Sequence, residues 1–151
     1  MTLKARVFYL QCHQRALVRA EGLMSLVENI SQSIHFVSED TLLGDVAYFL
    51  AESDAGVIGI TRDGIAVGTI TDRELVTRAV ALGRDLSKYK AKHVMERQPV
   101  TVEWSADDSD LIDATILMRR KKALNAIVIR GGLPVGVISI GSLSRHGIGN
   151  L

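Results

Sequence analysis

The sequence predicts an α+β protein made of two copies of one β-α-β-β-α unit, packed sheet to sheet around a pseudo-twofold axis, with a helical N-terminal extension. Three observations lead there. The chain matches itself at a fixed spacing of 68 residues, so that Gly68-Thr69-Ile70-Thr71 falls on Gly136-Val137-Ile138-Ser139. Within each copy the hydrophobic period switches between 2 and 3.6, the marks of strand and helix. Each copy also carries a hairpin dipeptide, Asp63-Gly64 or Gly131-Gly132, between two apolar runs.

The repeat is well above chance. Holding the spacing from His35–Leu75 against Glu103–Leu143 gives ten identities, among them Asp40/Asp108, Leu43/Leu111, Arg62/Arg130, Gly64/Gly132 and Gly68/Gly136. Ordinary residue frequencies would give roughly two or three. Phe36/Trp104, Glu39/Asp107, Thr41/Ser109 and Thr71/Ser139 are substitutions in kind.

Residues 1–28 form the extension. Lys4, Arg6, Arg15 and Arg19 precede the first acid, Glu21, and Leu3, Val7, Leu10, Leu17 and Leu23 recur at loosely helical spacing. Such a start resembles an organelle transit peptide but lacks its serine enrichment, and a helix packed on the body or on a partner is the plainer reading. Met24 is an alternative start. Repeat one, 29–83, opens with a strand over Ile34–Val37 and a polar turn, Ser38-Glu39-Asp40-Thr41, whose residues suit a helix N-cap. The helix stripe is Leu42, Leu43, Val46, Phe49 and Leu50; strands follow at Val57–Thr61 and Ile65–Ile70. A lysine-bearing linker, 84–96, ends in a short helix around Ala91–Met95. Repeat two, 97–146, has its strands at Val100–Trp104, Ala126–Ile129 and Leu133–Ile138, with a helix stripe of Leu111, Ala114, Leu117 and Met118. A tail, 147–151, closes the chain. About 60 residues bury only a modest share of their surface alone, so the two sheets are expected to pack together.

Composition narrows the function. The 151 residues are 47% hydrophobic with net charge +1, so there is no basic field for nucleic acid. Cys12 is the sole cysteine, which excludes an intrachain disulfide and fits a reducing, cytoplasmic compartment, the transit-peptide reading leaving an organelle as the alternative. No apolar run reaches the roughly 18–20 residues that cross a bilayer. His13, His35, His93 and His146 are scattered, Cys12-His13 neighbours point apart on a helix, and Asp107-Asp108 sit where a helix start favours acids. No phosphate loop or nucleophilic triad is readable. Neither catalytic residues nor a metal site is expected.

The chemistry that remains lies in Gly68-Thr69-Ile70-Thr71-Asp72-Arg73-Glu74-Leu75, a strand running into a helix. Thr71 with Glu74 three residues on is a capping box. Outward amides at such a helix start also bind anions and hydroxyl-rich ligands, so the corner reads either as a cap or as a ligand site built on one.

The duplicated unit resembles the tandem cystathionine-β-synthase-type (CBS) domain pair, or Bateman module, in its stand-alone bacterial form. The two strand-to-helix corners at Gly68–Leu75 and Gly136–Leu143 carry the resemblance, with Val94-Met95 before Gln98-Pro99-Val100-Thr101-Val102. It covers about Asn29 to Ser144. The resemblance implies a non-catalytic sensor that binds an adenosine-containing ligand (AMP, ADP, ATP, S-adenosylmethionine or NADH) in clefts between the repeats. A Thr or Ser at the strand end and an Asp three residues later hold the ribose, which here are Thr71 with Glu74 and Ser139 with Ser142. Copy two has lost the carboxylate and is expected to bind weakly. Adenine would meet Val57 and Ile58, or Asn125 and Ala126. Asp72 and Arg73 open the helix, Arg73 being the first candidate for phosphate and Arg119-Arg120-Lys121-Lys122 the second. The alternative is a scaffold whose clefts have degenerated. Either way a homodimer is expected through Leu75, Val76, Ala79, Val80 and Leu82, with the regulated partner protein unidentified.

Overall fold

The computed structural model describes residues 36–53, 55–103 and 109–141. The extension over 1–28, His35, Trp104, Asp107, Asp108, Ser142 and the tail at 147–151 lie outside them. Repeat one runs β1 (Phe36–Ser38), α1 (Leu43–Glu52), β2 (Val57–Arg62), β3 (Ile65–Thr71) and α2 (Asp72–Arg78). A two-residue strand, β4 (Glu96–Arg97), follows. Repeat two runs β5 (Thr101–Glu103), α3 (Ser109–Arg120), β6 (Asn125–Arg130) and β7 (Leu133–Ser139), and Ile140 and Gly141 turn helical.

Both hairpins close as the dipeptides dictate. Asp63 and Gly64 have φ of 51° and 80°, and Gly131 and Gly132 have 58° and 79°, the two positive values a type I′ turn needs. The copies even share an irregularity, a register break at Ile60/Thr61 and at Val128/Ile129. The first strands correct the sequence register. Phe36 stands opposite Gly59, while Thr101 stands opposite Ile127. Phe36 therefore corresponds to Thr101 and not to Trp104. The ladder partner fixes a strand's position, and the first strand of repeat two lies 65 residues after that of repeat one, three fewer than the 68 of the repeat.

Period-2 alternation sorts the side chains into three layers. Ile58, Ile60 and Ile70 face α1 and join Val37, Leu43, Val46 and Leu50 in the core of repeat one. Ala126, Val128 and Ile138 face α3 and pack with Ala114 and Met118. On the other faces Val57, Ile127 and Val137 meet between the sheets, flanked by Phe36, Ala55, Ala66 and Ile129. The sheets thus pack face to face, as the pattern predicts.

The cap of α1 differs from expectation. Its N-cap is Leu42, and no side chain caps it. The first amides are taken by the linker, with Leu43 N–H donating to Tyr89 O at 2.9 Å and Gly44 N–H to Leu86 O at 3.0 Å. Residues 84–95 form a strap across repeat one. Its only helical turn is a 3-10 turn at Ala91–His93, shorter than the expected helix. In return Ala91 N–H donates to Thr41 O at 2.8 Å and Lys92 N–H to Glu39 O at 2.9 Å. The strap buries Ala91, Val94 and Met95 in the core of repeat one. Burying Val94 and Met95 contributes about 1.5–3 kcal/mol each. The ion pairs around the strap are exposed and screened, so apolar burial holds it.

Those pairs still titrate. Asp40 takes the Lys90 and Lys92 ammonium groups on one carboxylate oxygen, at 3.0 Å and 2.8 Å. The Lys92 bond, then the Lys90 bond, lower its carboxyl from 3.8 to about 2. A carboxyl more acidic in the folded state stabilises it above the unfolded value, and the contribution fades as pH falls from 3.8 toward about 2. In urea unfolding across that window, Asp40→Asn is expected to lose stability less steeply than the native chain. Equal slopes would show the bridges do not matter to folding.

Candidate functional site

The corner is built where β3 ends. Thr71 is extended, with φ −113° and ψ 175°, and Asp72 begins the helix. The capping box forms. Thr71 N–H donates to Glu74 Oε2 at 2.9 Å, and the Thr71 hydroxyl donates to the same oxygen. Glu74 Oε1 takes no hydrogen bond among the described residues. The two candidate ribose ligands therefore touch, with one carboxylate oxygen engaged by the cap and one left over. Asp72 and Arg73 are exposed beside them.

Strand pairing sorts the remaining candidates. Val57 is the ladder partner of Thr71, so it lies at the same corner, with its side chain between the two sheets. Ile58 pairs with Ile70 and turns its side chain into the core of repeat one. Asn125 pairs with Ser139 at the equivalent corner of repeat two, and Ala126 faces the core of that repeat. Ser142 lies outside the described residues. Ile58 and Ala126 thus present only their main chains to a ligand, whereas Val57 and Asn125 sit beside the strand ends.

The basic run at the end of α3 has a structural role. Arg119 and Arg120 lie in the last turn. Lys122 takes φ 52°, Lys122 N–H donates to Arg119 O at 3.1 Å, and Ala123 N–H donates to Met118 O at 2.8 Å. This is a Schellman closure with lysine in the left-handed slot that glycine usually fills. The cations stand at the negative end of the helix and complement it. His93 is likewise occupied: Nδ1 accepts Lys90 N–H at 2.9 Å, and its ring meets Tyr89 edge-on. Among the described residues no group of three or more His, Cys, Asp or Glu is placed to hold a metal ion, and no helix is long and apolar enough to cross a membrane.

One residue of the corner escaped the sequence. Arg78, at the end of α2, donates to Val94 O and Met95 O at 3.0 Å each and pairs with the Glu96 carboxylate. It fastens the helix that carries Glu74 to the strap. Arginine in a last helical turn is ordinary dipole compensation, and no residue pattern in α2 points to the carbonyls it finds.

The comparisons agree with this fold. No protein-family model matches the chain. It is 23% identical over 128 residues to the CBS domain-containing protein YhcV of Bacillus subtilis, covering 85% of this chain and 89% of that one. The crystal structure of the CBS domain protein NE2398 is similar with a TM-score of 0.67 at 20% identity, covering 82% of this chain and 94% of that one. The CBS domain protein PAE2072 from Pyrobaculum aerophilum, complexed with AMP, is similar with a TM-score of 0.64 at 27% identity, covering 77% of this chain and 87% of that one. The fold is that of a tandem CBS pair.

Glu74→Ala removes the acceptor for the Thr71 amide. The change is expected to cost about 1 kcal/mol of stability in denaturant unfolding, the size of a lost helix cap. No loss at all would mean the bond is not kept in solution.

Proposed function

With the fold of a CBS pair as premise, we propose that the chain is a non-catalytic regulatory module that binds an adenosine-containing ligand at the Thr71–Glu74 corner. The observation that carries this is the Glu74 carboxylate, anchored beside Thr71 by one oxygen. Two vicinal hydroxyls need strong acceptors, and a carboxylate supplies them better than a serine. Glu74 Oε1 takes a ribose hydroxyl while Oε2 stays on the cap, which offsets the extra methylene relative to the family's aspartate. Val57 lies against the base, main-chain groups of Val57 and Ile58 pair with its edge, and Arg73 receives phosphate. The corner with Asn125, Ala126, Ser139 and Ser142 lacks the carboxylate and binds weakly.

The AMP carried by the Pyrobaculum protein supports an adenine nucleotide as the first ligand to try. Calorimetric titration with AMP, ADP, ATP, S-adenosylmethionine and NADH is expected to give saturable heat with at least one, matched by a higher Tm. Glu74→Ala is expected to abolish both. Absence of heat and of any Tm change with all five ligands would rule the reading out.

A second reading, a dimerisation scaffold with degenerate clefts, is favoured by one surface. Leu75 and Ala79 turn into the core, but Val76, Val80 and Leu82 are 53%, 57% and 63% exposed. In both readings this face joins two copies in the cytoplasm, and the protein regulated is a further partner. Val80→Glu is expected to convert a native dimer into a 16.4 kDa species in sedimentation. A native chain that already sediments at that mass would remove the dimer from either reading.

A further inference from the structure

The helix that carries Glu74 is lightly seated. α2 has seven residues and none of them is fully buried. A helix that short is marginal on its own in water. Leu75 and Ala79, one turn apart, rest on the core of repeat one, and the other anchors are polar and stand at the two ends. The front anchor is the Thr71–Glu74 box, and the rear anchor is Arg78.

Arg78 grips a part of the strap that is itself held. Four successive carbonyls there accept from guanidinium groups: Lys92 O from Arg97 at 3.3 Å, His93 O from Arg84 at 3.1 Å, and Val94 O and Met95 O from Arg78 at 3.0 Å each. Arg84 lies in the strap and Arg97 in β4, so of these three arginines only Arg78 reaches in from another element. The side chains of Val94 and Met95 are buried in the core of repeat one, which fixes the carbonyls that Arg78 meets. Its Nη1 serves both carbonyls, and its Nη2 goes to the Glu96 carboxylate. Glu96 lies in β4, which pairs along the outer edge of β3 and puts it opposite Thr69, two residues before Thr71. The contacts thus close a ring. It runs from Thr71 to Glu74, along α2 to Arg78, across to Glu96, and over the ladder to Thr69 and β3.

We propose that Arg78 is a positioning residue: it sets α2, and with it Glu74, against the strap, and makes the strap the element that registers a change at the corner. Arginine suits the role because a planar fork reaches two carbonyls and a carboxylate together, whereas the ammonium of a lysine is a point charge. Through Leu86 O and Tyr89 O the strap also caps α1, so a shift at Arg78 bears on both helices of repeat one. That the change is a bound ligand rests on the reading of the corner given above; the coupling itself does not.

Amide hydrogen exchange in the full chain tests the coupling without any ligand. The amides of Ala91, Lys92, Val94 and Met95 are all hydrogen-bonded in the strap region. With Glu74→Ala they are expected to exchange roughly fivefold faster relative to the amides of β6, the scale of coupling within one network. In an Arg78→Ala background the same change is expected to leave them unaltered. Arg78→Lys takes its place in the cycle if Arg78→Ala does not fold. Referring the rates to β6 removes a general loss of stability, which is all that a merely structural arginine would produce. Strap amides that ignore Glu74→Ala, or that respond equally with and without Arg78, would overturn the proposal. AMP gives a second arm. Where it binds, it is expected to slow strap exchange in the native chain and not in the Arg78 variant; binding with no change at the strap would also overturn the proposal. Failure of AMP to bind would count against the ligand reading alone, since the ligand-free cycle decides the role of Arg78.

Discussion

Everything in this structure depends on the contact between two sheet faces. Neither repeat has enough chain to bury a core of its own on both sides of its sheet. Each helix layer covers one face, through Leu43, Val46 and Leu50 or through Ala114 and Met118. Among the described residues the other face is covered by the second copy, where Val57 meets Ile127 and Val137. The candidate corner follows from that contact. Val57 sits at the seam, Thr71 is its ladder partner, and α2 starts one residue later. The Thr71–Glu74 corner therefore lies beside the junction of the copies.

Much of this was legible in the sequence. The hairpins could be placed because type I′ turns demand residues with positive φ, and Asp63-Gly64 and Gly131-Gly132 meet that demand. The stripes of α1 and α3 were readable because burial follows the helical period. What escaped reading depends on long-range partners. Ser38 to Thr41 look like caps for α1, but the strap's carbonyls take that role, and nothing local announces Leu86 or Tyr89 as acceptors. Glu96 and Arg97 are too short a run to show strand periodicity. The slip of three residues in the first strand was hidden by identities such as Asp40/Asp108, which line up at the spacing of 68.

The site was legible to a lesser degree. Thr71 and Glu74 were found because a capping box has a spacing, and the structure shows them bonded to one another. That bond makes the corner both a cap and a carboxylate display, and the copy at Ser139 shows that a helix starts there without the acid. Arg78 stayed hidden because two of its three partners are main-chain carbonyls, and a carbonyl has no sequence identity.

The strap has a consequence for biosynthesis. Repeat one, its cap for α1 and the cover of its hairpin edge are all complete once Arg97 has left the ribosome. Gln98 then takes a left-handed φ of 56° before Pro99, and the chain turns away into repeat two. Until those residues are made, the finished first half carries an uncovered apolar face at Val57, Ala66 and Phe36. The interval between the two halves is thus when the nascent protein is most exposed to misassociation, and a slow stretch of translation after Pro99 would lengthen it.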